Sequence, residues 1–309
     1  MKYKLFFDKK NWVKLTYLYW NNSQNHKYES AFNQSDKNAL IYGFYHIYCL
    51  IDGWEELVKE QISHIVDSGL YERIQKLYCG VLINNNELAR FKEIISSYDK
   101  IEIMYQSEDG SLFEFKTLYE LRRKAEELPP FVGFYFHTKG ISWIHTNPKI
   151  YNVCNTWRKM NEYFLFDRYR LAIHTLNSKG YDVYGTNYTQ IYNDKYRNLG
   201  LNFFWFKSDY VKSLPYLEIE DRSSRFLSEA WICSRTHNVY SPFWFTGNDR
   251  NVAIPEVLYK TASFLERMKV AIPLYFTRFK WYVYNFTGKY SGKNPLVEKV
   301  YNKPKNDSL

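Results

Sequence analysis

The sequence is short of cysteine and lacks the cysteine spacings that mark metal sites or redox pairs. Its four cysteines lie far apart, and none belongs to a Cys-x-x-Cys motif. No stretch approaches the roughly 18 consecutive apolar residues of a membrane-spanning helix. The N-terminal residues lack the apolar run and cleavage site of a secretory signal. Cys49 and Cys79 lie in apolar, strand-like runs, where we expect core thiols. We expect no transmembrane helix and a reducing, cytoplasmic setting.

Two glycine-rich phosphate-binding motifs are also missing. The chain has neither the Gly-x-Gly-x-x-Gly fingerprint of dinucleotide-binding folds nor the Gly-x-x-x-x-Gly-Lys-Ser/Thr motif of P-loop enzymes. Any ligand that carries phosphate would therefore have to be held by other groups.

Positive charge is concentrated at the two ends of the chain. Residues 1–40 carry a net charge of +4 and residues 256–309 a net charge of +6, whereas the stretch between them is at −1. A nucleic-acid enzyme more often carries basic residues across a central groove, so we expect no nucleic-acid partner. Basic, aromatic ends favour docking on an anionic membrane surface, although terminal lysines also serve solubility alone.

Apolar periodicity between residues 41 and 139 predicts an α/β domain. Apolar runs of strand length alternate with stretches whose apolar residues recur at helical spacing. This alternation is typical of parallel strands joined by right-handed helical crossovers. We predict strands at 41–50, 76–83, 100–105 and 131–136, and helices at 55–70, 87–98 and 117–128.

The rest of the chain is less regular, and we divide the whole into an N-terminal arm (1–40), a central domain (41–255) and a C-terminal extension (256–309). The extension is basic and aromatic, and it predicts amphipathic helices that either lie in a membrane interface or pack on the domain. Within the second half of the central domain we predict a long helix in 151–180, short strands at 181–184 and 199–206, and a helix at 223–234.

The stretch Phe131–Gly140, FVGFYFHTKG, predicts a ligand site. An apolar strand is followed at once by His137, Thr138 and Lys139. Ligands of open α/β sheets bind beyond the C-terminal ends of the strands, and Lys139 would supply a compact positive charge for a diphosphate. The alternative is an ordinary strand end with a solvated turn, in which His137 is a core histidine bonded to backbone.

Four stretches together resemble a group of bacterial surface-polysaccharide glycosyltransferases with a GT-A-like fold. They are LFEFKTLYEL (112–121), FYFHTKGIS (134–142), LNFFWFKSDY (201–210) and RFLSEAWI (225–232), accompanied by YGTNY (184–188). The resemblance covers about residues 41–245 and implies that the central domain is catalytic, with a Rossmann-like, mostly parallel sheet flanked by helices. It also implies transfer of galactofuranose from UDP-galactofuranose to a lipid-linked glycan acceptor. The setting would be capsule or O-antigen biosynthesis, with the enzyme peripheral on the inner face of the cytoplasmic membrane.

The resemblance gives the strand end at His137 a specific meaning. In most GT-A enzymes the strand at this place ends in an Asp-x-Asp motif that holds a divalent metal on the donor diphosphate. This chain contains no Asp-x-Asp, and the corresponding residues are His137, Thr138 and Lys139. Because a lysine can offset the charge of a diphosphate without a metal, we predict metal-independent transfer with no cofactor.

An inverting transfer needs a carboxylate that accepts the proton of the acceptor hydroxyl. Glu229 is the first candidate, because Arg222 and Arg225 precede it by seven and four residues on the predicted helix and would keep its carboxylate ionised. Asp221 is the alternative base. If Arg225 and Glu229 form only a surface ion pair, Glu229 has no catalytic role.

Further polar and aromatic residues would line the donor site. Glu114 and Thr117 lie at the start of a predicted helix, where a carboxylate either binds a sugar or ribose hydroxyl or merely suits the positive helix end. Asn202, inside an aromatic strand, needs a partner if it is buried, either a sugar hydroxyl or a backbone group. Trp205 and Trp231 either stack on a sugar face or belong to the core, which is the commoner place for a tryptophan, and Asn187 is a further candidate.

Other functions stay open at this point. A phosphotransferase acting on the same glycans would need an acidic, metal-binding pair at the sheet edge, which the sequence does not offer. A non-catalytic glycan-binding or scaffold module of the assembly complex would bind without chemistry. A nucleic-acid binder is disfavoured by the nearly neutral centre of the chain.

Overall fold

The computed structural model describes residues 23–191, 196–217, 226–236, 238–243, 253–260, 263 and 265–270. The chain divides into two units, Met1–Ile254 and Pro255–Leu309. Within the described ranges, no helix combines the length and the apolar character needed to cross a membrane.

The first unit alternates strands and helices along most of its length. The described strands are β1 (Ile41–Tyr48), β2 (Lys76–Leu82), β3 (Ile101–Ser107), β4 (Val132–His137), β5 (Val183–Tyr184), β6 (Thr189–Ile191), β7 (Tyr196–Asn198), β8 (Phe204–Lys207) and β9 (Val239–Tyr240). The α-helices are α1 (Gln34–Lys37), α2 (Trp54–Asp67), α3 (Leu70–Arg73), α4 (Leu88–Ile95), α5 (Phe115–Glu127), α6 (Pro148–Glu162), α7 (Tyr169–Asn177), α8 (Ser208–Ser213) and α9 (Phe226–Trp231). A π-helical turn, Tyr163–Asp167, follows α6 directly.

Seven strands form one mixed sheet in the order β3-β2-β1-β4-β8-β5-β9. The first four are parallel to one another, β8 runs antiparallel to both β4 and β5, and β5 is parallel to β9. Strands β6 and β7 form a separate antiparallel pair. The predicted α/β class is therefore confirmed as a mostly parallel sheet flanked by helices, an arrangement compatible with a Rossmann-like fold.

Side chains that alternate along the strands divide the core into two layers. On β4, Phe134 and Phe136 pack in the layer that contains residues of α2 and α7, whereas Tyr135 packs in the layer that contains residues of α5 and α8. On β8, Trp205 belongs to the first layer and Phe204 to the second. Full burial of side chains of this size stabilises the fold by roughly 1.5–3 kcal/mol each, so these strand aromatics contribute substantially to stability.

The aromatic stretch at 199–206 is not one continuous strand, and this part of the prediction was wrong. Residues Gly200–Asn202 form a helical turn, and the strand begins only at Phe204. A β-carbon on Gly200 would lie 3.0 Å from Thr186 Oγ1, so this glycine lets the turn approach Thr186 closely. Asn202 consequently lies in the turn and not inside a strand.

Part of the predicted N-terminal arm contacts the central domain. The carboxylate of Asp36, which is fully buried, accepts hydrogen bonds from His174 Nδ1 (2.7 Å) and from the Ser178 hydroxyl (2.7 Å). Burial raises the pKa of Asp36, but these hydrogen bonds outweigh burial and lower it. Residues 1–22 of the arm lie outside the described residues.

The second unit is described only in part. It contains α10 (Val257–Lys260), and residues 265–270 are helical. Residues 271–309 lie outside the described residues, so the membrane-docking role predicted for this extension stays a prediction. The prediction that Cys49 and Cys79 are core thiols is confirmed, and Cys154 and Cys233 are buried thiols as well.

Candidate functional site

The order of the parallel strands reverses between β1 and β4, because β2 and β3 follow on one side of β1 and β4 lies on the other. In open α/β sheets, ligands bind at such a switch point, beyond the C-terminal ends of the strands. The backbone N–H of Tyr48 donates to Thr138 Oγ1 (2.9 Å), and the backbone N–H of Thr138 donates to the carbonyl oxygen of His46 (3.2 Å). The predicted His-Thr-Lys segment therefore lies at the switch point, where the hydroxyl of Thr138 links the two strands.

Lys139 and Glu229 meet at this edge although they are far apart in the sequence. Lys139 follows β4 and Glu229 lies in α9, and the distance from Nζ to Oε1 is 3.8 Å. The two side chains are 18% and 10% exposed, so solvent screens their attraction less than at an open surface. The fold thus places the predicted diphosphate ligand next to the predicted base.

The Glu114 carboxylate is the centre of a second polar group beside the strand end. Its Oε2 atom accepts hydrogen bonds from the Tyr135 hydroxyl (2.8 Å) and from Asn202 Nδ2 (2.6 Å), and its Oε1 atom lies 3.5 Å from His137 Nδ1. Burial, together with the charge of Glu114, raises the pKa of Tyr135 well above its usual value, so Tyr135 is the donor. Glu114 is the N-cap residue of α5, yet its side chain makes no capping hydrogen bond.

His137 is fixed by the same turn that carries Asn202. Its Nε2 atom lies 2.8 Å from the carbonyl oxygen of Leu201, and because a carbonyl only accepts, Nε2 carries the proton. The ring is almost fully buried. The prediction that His137 could be a buried histidine bonded to backbone therefore describes its geometry correctly, while its Nδ1 edge still faces Glu114.

Asn202 combines an unsatisfied polar atom with a strained backbone. A carboxylate only accepts, so the amide nitrogen must face Glu114. The Oδ1 atom is left buried, with no hydrogen-bond partner in the described structure. Asn202 and Leu201 both have left-handed φ values, +59° and +56°. Such residues cost on the order of 1–3 kcal/mol each and cluster at functional sites.

Thr117, a predicted substrate-binding residue, is bonded to other side chains of the fold. Its hydroxyl is fully buried and bridges His46 Nδ1 (2.8 Å) and the Tyr105 hydroxyl (2.6 Å). Burial lowers the pKa of His46 to about 4, so the ring is neutral at physiological pH. A β-carbon on Gly80 would clash with both Thr117 and Tyr105. Thr117 therefore holds α5 against the sheet, below Glu114.

The two tryptophans for which a sugar contact and a core position were both open are buried. Trp205 is fully buried, and its indole N–H donates to the carbonyl oxygen of Leu165 (2.9 Å). It packs in the layer opposite to that of Tyr135, because side chains on neighbouring strand positions point to opposite faces. Trp231 is nearly buried, and its indole N–H donates to the carbonyl oxygen of Pro215 (2.8 Å). Both side chains belong to the core.

The remaining predicted residues are placed only in part. Asn187 is buried, with a φ of +49°, and it lies against the Gly200 turn. Its backbone N–H donates to the carbonyl oxygen of Phe243 (2.8 Å). The three other predicted residues lie outside the described residues, and they are Asp221, Arg222 and Arg225.

Sequence reasoning missed a buried network below the end of β4. Gln61 Nε2 donates to Glu162 Oε1 (2.6 Å) and approaches the carbonyl oxygen of His137 (3.4 Å), and Arg158 binds both oxygens of Glu162 (2.7 and 2.9 Å). Burial raises the pKa of Glu162, but hydrogen bonds from His64, Arg158 and Gln61 and the charge of Arg158 lower it overall. The sequence feature that could have revealed this network is Gln61, a polar residue on the otherwise apolar face of a predicted helix.

Over the described ranges, no three His, Cys, Asp or Glu side chains are grouped so that they could hold a metal ion.

Comparison with known proteins finds no matching family model and no curated protein with a significant match. The grounds for a functional proposal are therefore the geometry of the polar groups at the end of β4 and the sequence resemblance.

Proposed function

We propose that this protein is a glycosyltransferase that moves a sugar from a nucleotide diphosphate donor onto a lipid-linked glycan acceptor. The observation that carries the proposal is the pairing of Lys139 with Glu229 at the switch point of the sheet. An inverting transfer needs one positive group for the leaving diphosphate and one carboxylate for the acceptor hydroxyl. This pair supplies both at one strand end.

Lys139 is the proposed diphosphate ligand. As the bond between the anomeric carbon and the diphosphate breaks, negative charge develops on the leaving oxygen. A cation held in a partly buried position stabilises that charge more than a solvated one would. The transfer is proposed to need no metal, because Lys139 follows the strand end where related enzymes carry paired aspartates.

Glu229 is the proposed catalytic base. The acceptor oxygen attacks the anomeric carbon from the face opposite to the diphosphate, and its proton passes to the Glu229 carboxylate. One displacement of this kind inverts the configuration at the anomeric carbon. Asp221 remains the alternative base in this proposal.

Glu114 and Asn202 are proposed to bind hydroxyl groups of the donor. The unsatisfied Oδ1 of Asn202 would accept a hydrogen bond. Glu114 Oε1, which lies 3.5 Å from His137 Nδ1, would accept another, because a carboxylate oxygen can accept more than one. A sugar offers several hydroxyl donors in a small volume. The GT-A-like form of the fold, UDP-galactofuranose as donor, and a peripheral position in capsule or O-antigen assembly come from the sequence resemblance.

The test is a screen of nucleotide sugars with purified full-length protein, including UDP-galactofuranose and UDP-galactopyranose. Slow donor hydrolysis or transfer is measured with and without EDTA, in wild type and in the Lys139→Ala and Glu229→Gln variants. We expect activity that survives EDTA and is lost in both variants. Activity that disappears with EDTA and returns with manganese contradicts the metal-independent mechanism. Glycan binding without donor turnover supports the non-catalytic module instead.

A further inference from the structure

The proposed base and the proposed diphosphate ligand lie against each other in this fold. Lys139 Nζ lies 3.8 Å from Glu229 Oε1, and both side chains are largely buried. A lysine ammonium group is a compact point charge with three hydrogen-bond donors. A diphosphate that contacts Lys139 therefore competes with the Glu229 carboxylate for the same cation.

The same contact keeps Glu229 occupied. While its carboxylate faces Lys139, one of its oxygens is engaged by a cation and is less available to an acceptor hydroxyl. Glu229 is adjacent to Ser228, whose carbonyl oxygen lies 3.5 Å from Asn202 Nδ2, the atom that also donates to Glu114. Movement at α9 is thus connected to the proposed sugar-binding group as well as to Lys139.

We infer that the Lys139–Glu229 pair is a latch that a donor diphosphate opens. The donor competes with Glu229 for Lys139, and its binding releases the Glu229 carboxylate for the acceptor proton. The base is then free only when a donor is in place, so donor binding precedes proton transfer. Because binding equilibria are reciprocal, whatever strengthens the pair weakens donor binding. This inference rests on the roles proposed above for the two residues.

The latch makes an unusual prediction for a catalytic carboxylate. Replacing Glu229 by the nearly isosteric glutamine abolishes transfer, yet it should tighten binding of UDP, because the competitor for Lys139 has lost its charge. Loss of an ion pair with this exposure should lower the Kd for UDP by up to about fivefold. A residue that only supports the local fold would leave the affinity unchanged or weaken it.

The experiment measures UDP binding by isothermal titration calorimetry with full-length protein in EDTA. The variants are Glu229→Gln, Lys139→Met, the double variant, and Glu127→Gln as a charge-matched control. Glu127 lies at the end of α5 opposite to Glu114, about 20 Å away along the helix. We expect tightening in Glu229→Gln, none in Glu127→Gln, and none when Glu229→Gln is added to Lys139→Met.

Each alternative result has a distinct meaning. If Lys139→Met weakens UDP binding but Glu229→Gln does not tighten it, the latch is overturned and the proposed function stands. Equal tightening with and without Lys139 also overturns the latch, because the effect is then one of overall charge. If UDP binds wild type and Lys139→Met equally, the proposed diphosphate contact itself fails. Should Glu229→Gln fold poorly by thermal denaturation, Glu229→Asp, which retracts the carboxylate, replaces it with the same expectation.

Discussion

The side-chain amide of Gln61 lies 3.4 Å from the carbonyl oxygen of His137, so helix α2 contacts the end of β4 through a buried polar group. The same nitrogen donates to Glu162, and Gln61 Oε1 accepts from the Tyr45 hydroxyl (2.6 Å). The strand end that carries Lys139 is therefore supported from inside the fold by hydrogen bonds. This support explains how a short polar segment can hold a defined position at the sheet edge.

Removing the charge of Glu162 should destabilise the protein strongly. Glu162→Gln leaves the Arg158 guanidinium buried without its principal partner, and such a loss costs about 3–5 kcal/mol. The free energy of unfolding is measured by urea denaturation. Glu60→Gln is the matched control, because Glu60 pairs with the same arginine but is 47% exposed, and the expected cost is below about 1 kcal/mol. Similar costs for the two variants would show that burial of the pair contributes nothing.

The stability of the protein should fall as the pH rises from 6.5 to 9. Burial alone lowers the pKa of His64, but its hydrogen bonds to Asp167 and Glu162 and their charges outweigh burial and raise it to about 9. A histidine whose pKa is higher in the folded than in the unfolded protein stabilises the fold. This stabilisation is complete at a pH below the pKa of the unfolded state, and it is lost as the pH rises through the pKa of the folded state. Because His64 is partly exposed, we expect a loss of about 1 kcal/mol.

The control for this pH dependence is His64→Gln, which cannot titrate. Urea denaturation of both proteins at pH 6 and pH 9.5 isolates the contribution of His64. A decline of the same size in the variant assigns the pH dependence to other groups.

Phe113→Gly should stabilise the protein although it removes a large side chain. Phe113 has φ +43° and ψ −138°, a conformation that side chains with a β-carbon rarely adopt, and it is 41% exposed. Glycine relieves the backbone strain of the folded state but raises the entropy of the unfolded chain. The relief of strain is the larger effect, and we expect the free energy of unfolding to rise by about 1 kcal/mol. Thermal denaturation compares it with Phe113→Ala, which keeps the β-carbon and should show no gain. Equal effects of glycine and alanine would contradict the strain argument.

Thr117→Val should lower stability without a specific effect on the donor. The buried Nδ1 of His46 and the Tyr105 hydroxyl lose their shared partner, which costs about 1–3 kcal/mol. Thr117→Ser keeps the hydroxyl and is the matched control. We expect the Kd for UDP of Thr117→Val to stay within about twofold of wild type at temperatures where the variant is folded. A large loss of UDP binding would restore Thr117 to the ligand site.

Sequence periodicity was sufficient for the parallel half of the sheet. From Ile41 to His137 each predicted strand and helix is present, because long apolar stretches bounded by glycine, proline or polar residues have one dominant way to be buried. The aromatic stretch around Asn202 was assigned to a strand because its residues suit one. Residues Gly200–Asn202 instead form a turn in which the Gly200 N–H donates to the carbonyl oxygen of Thr186 (2.8 Å), and no local pattern encodes such a contact.

The residue types at the strand end, a histidine, a threonine and a lysine without paired aspartates, were evident from the chain alone. Which of the candidate side chains meet became clear only from the folded domain. The fold brings Lys139 to Glu229 and Glu114 to Asn202, and it places Trp205 in the core layer opposite to that of Tyr135. Which residues of a strand or helix are buried follows largely from the apolar pattern of their neighbours along the chain. Which side chains form a site depends on the distances between strands and helices, and the packing of the whole domain sets those distances.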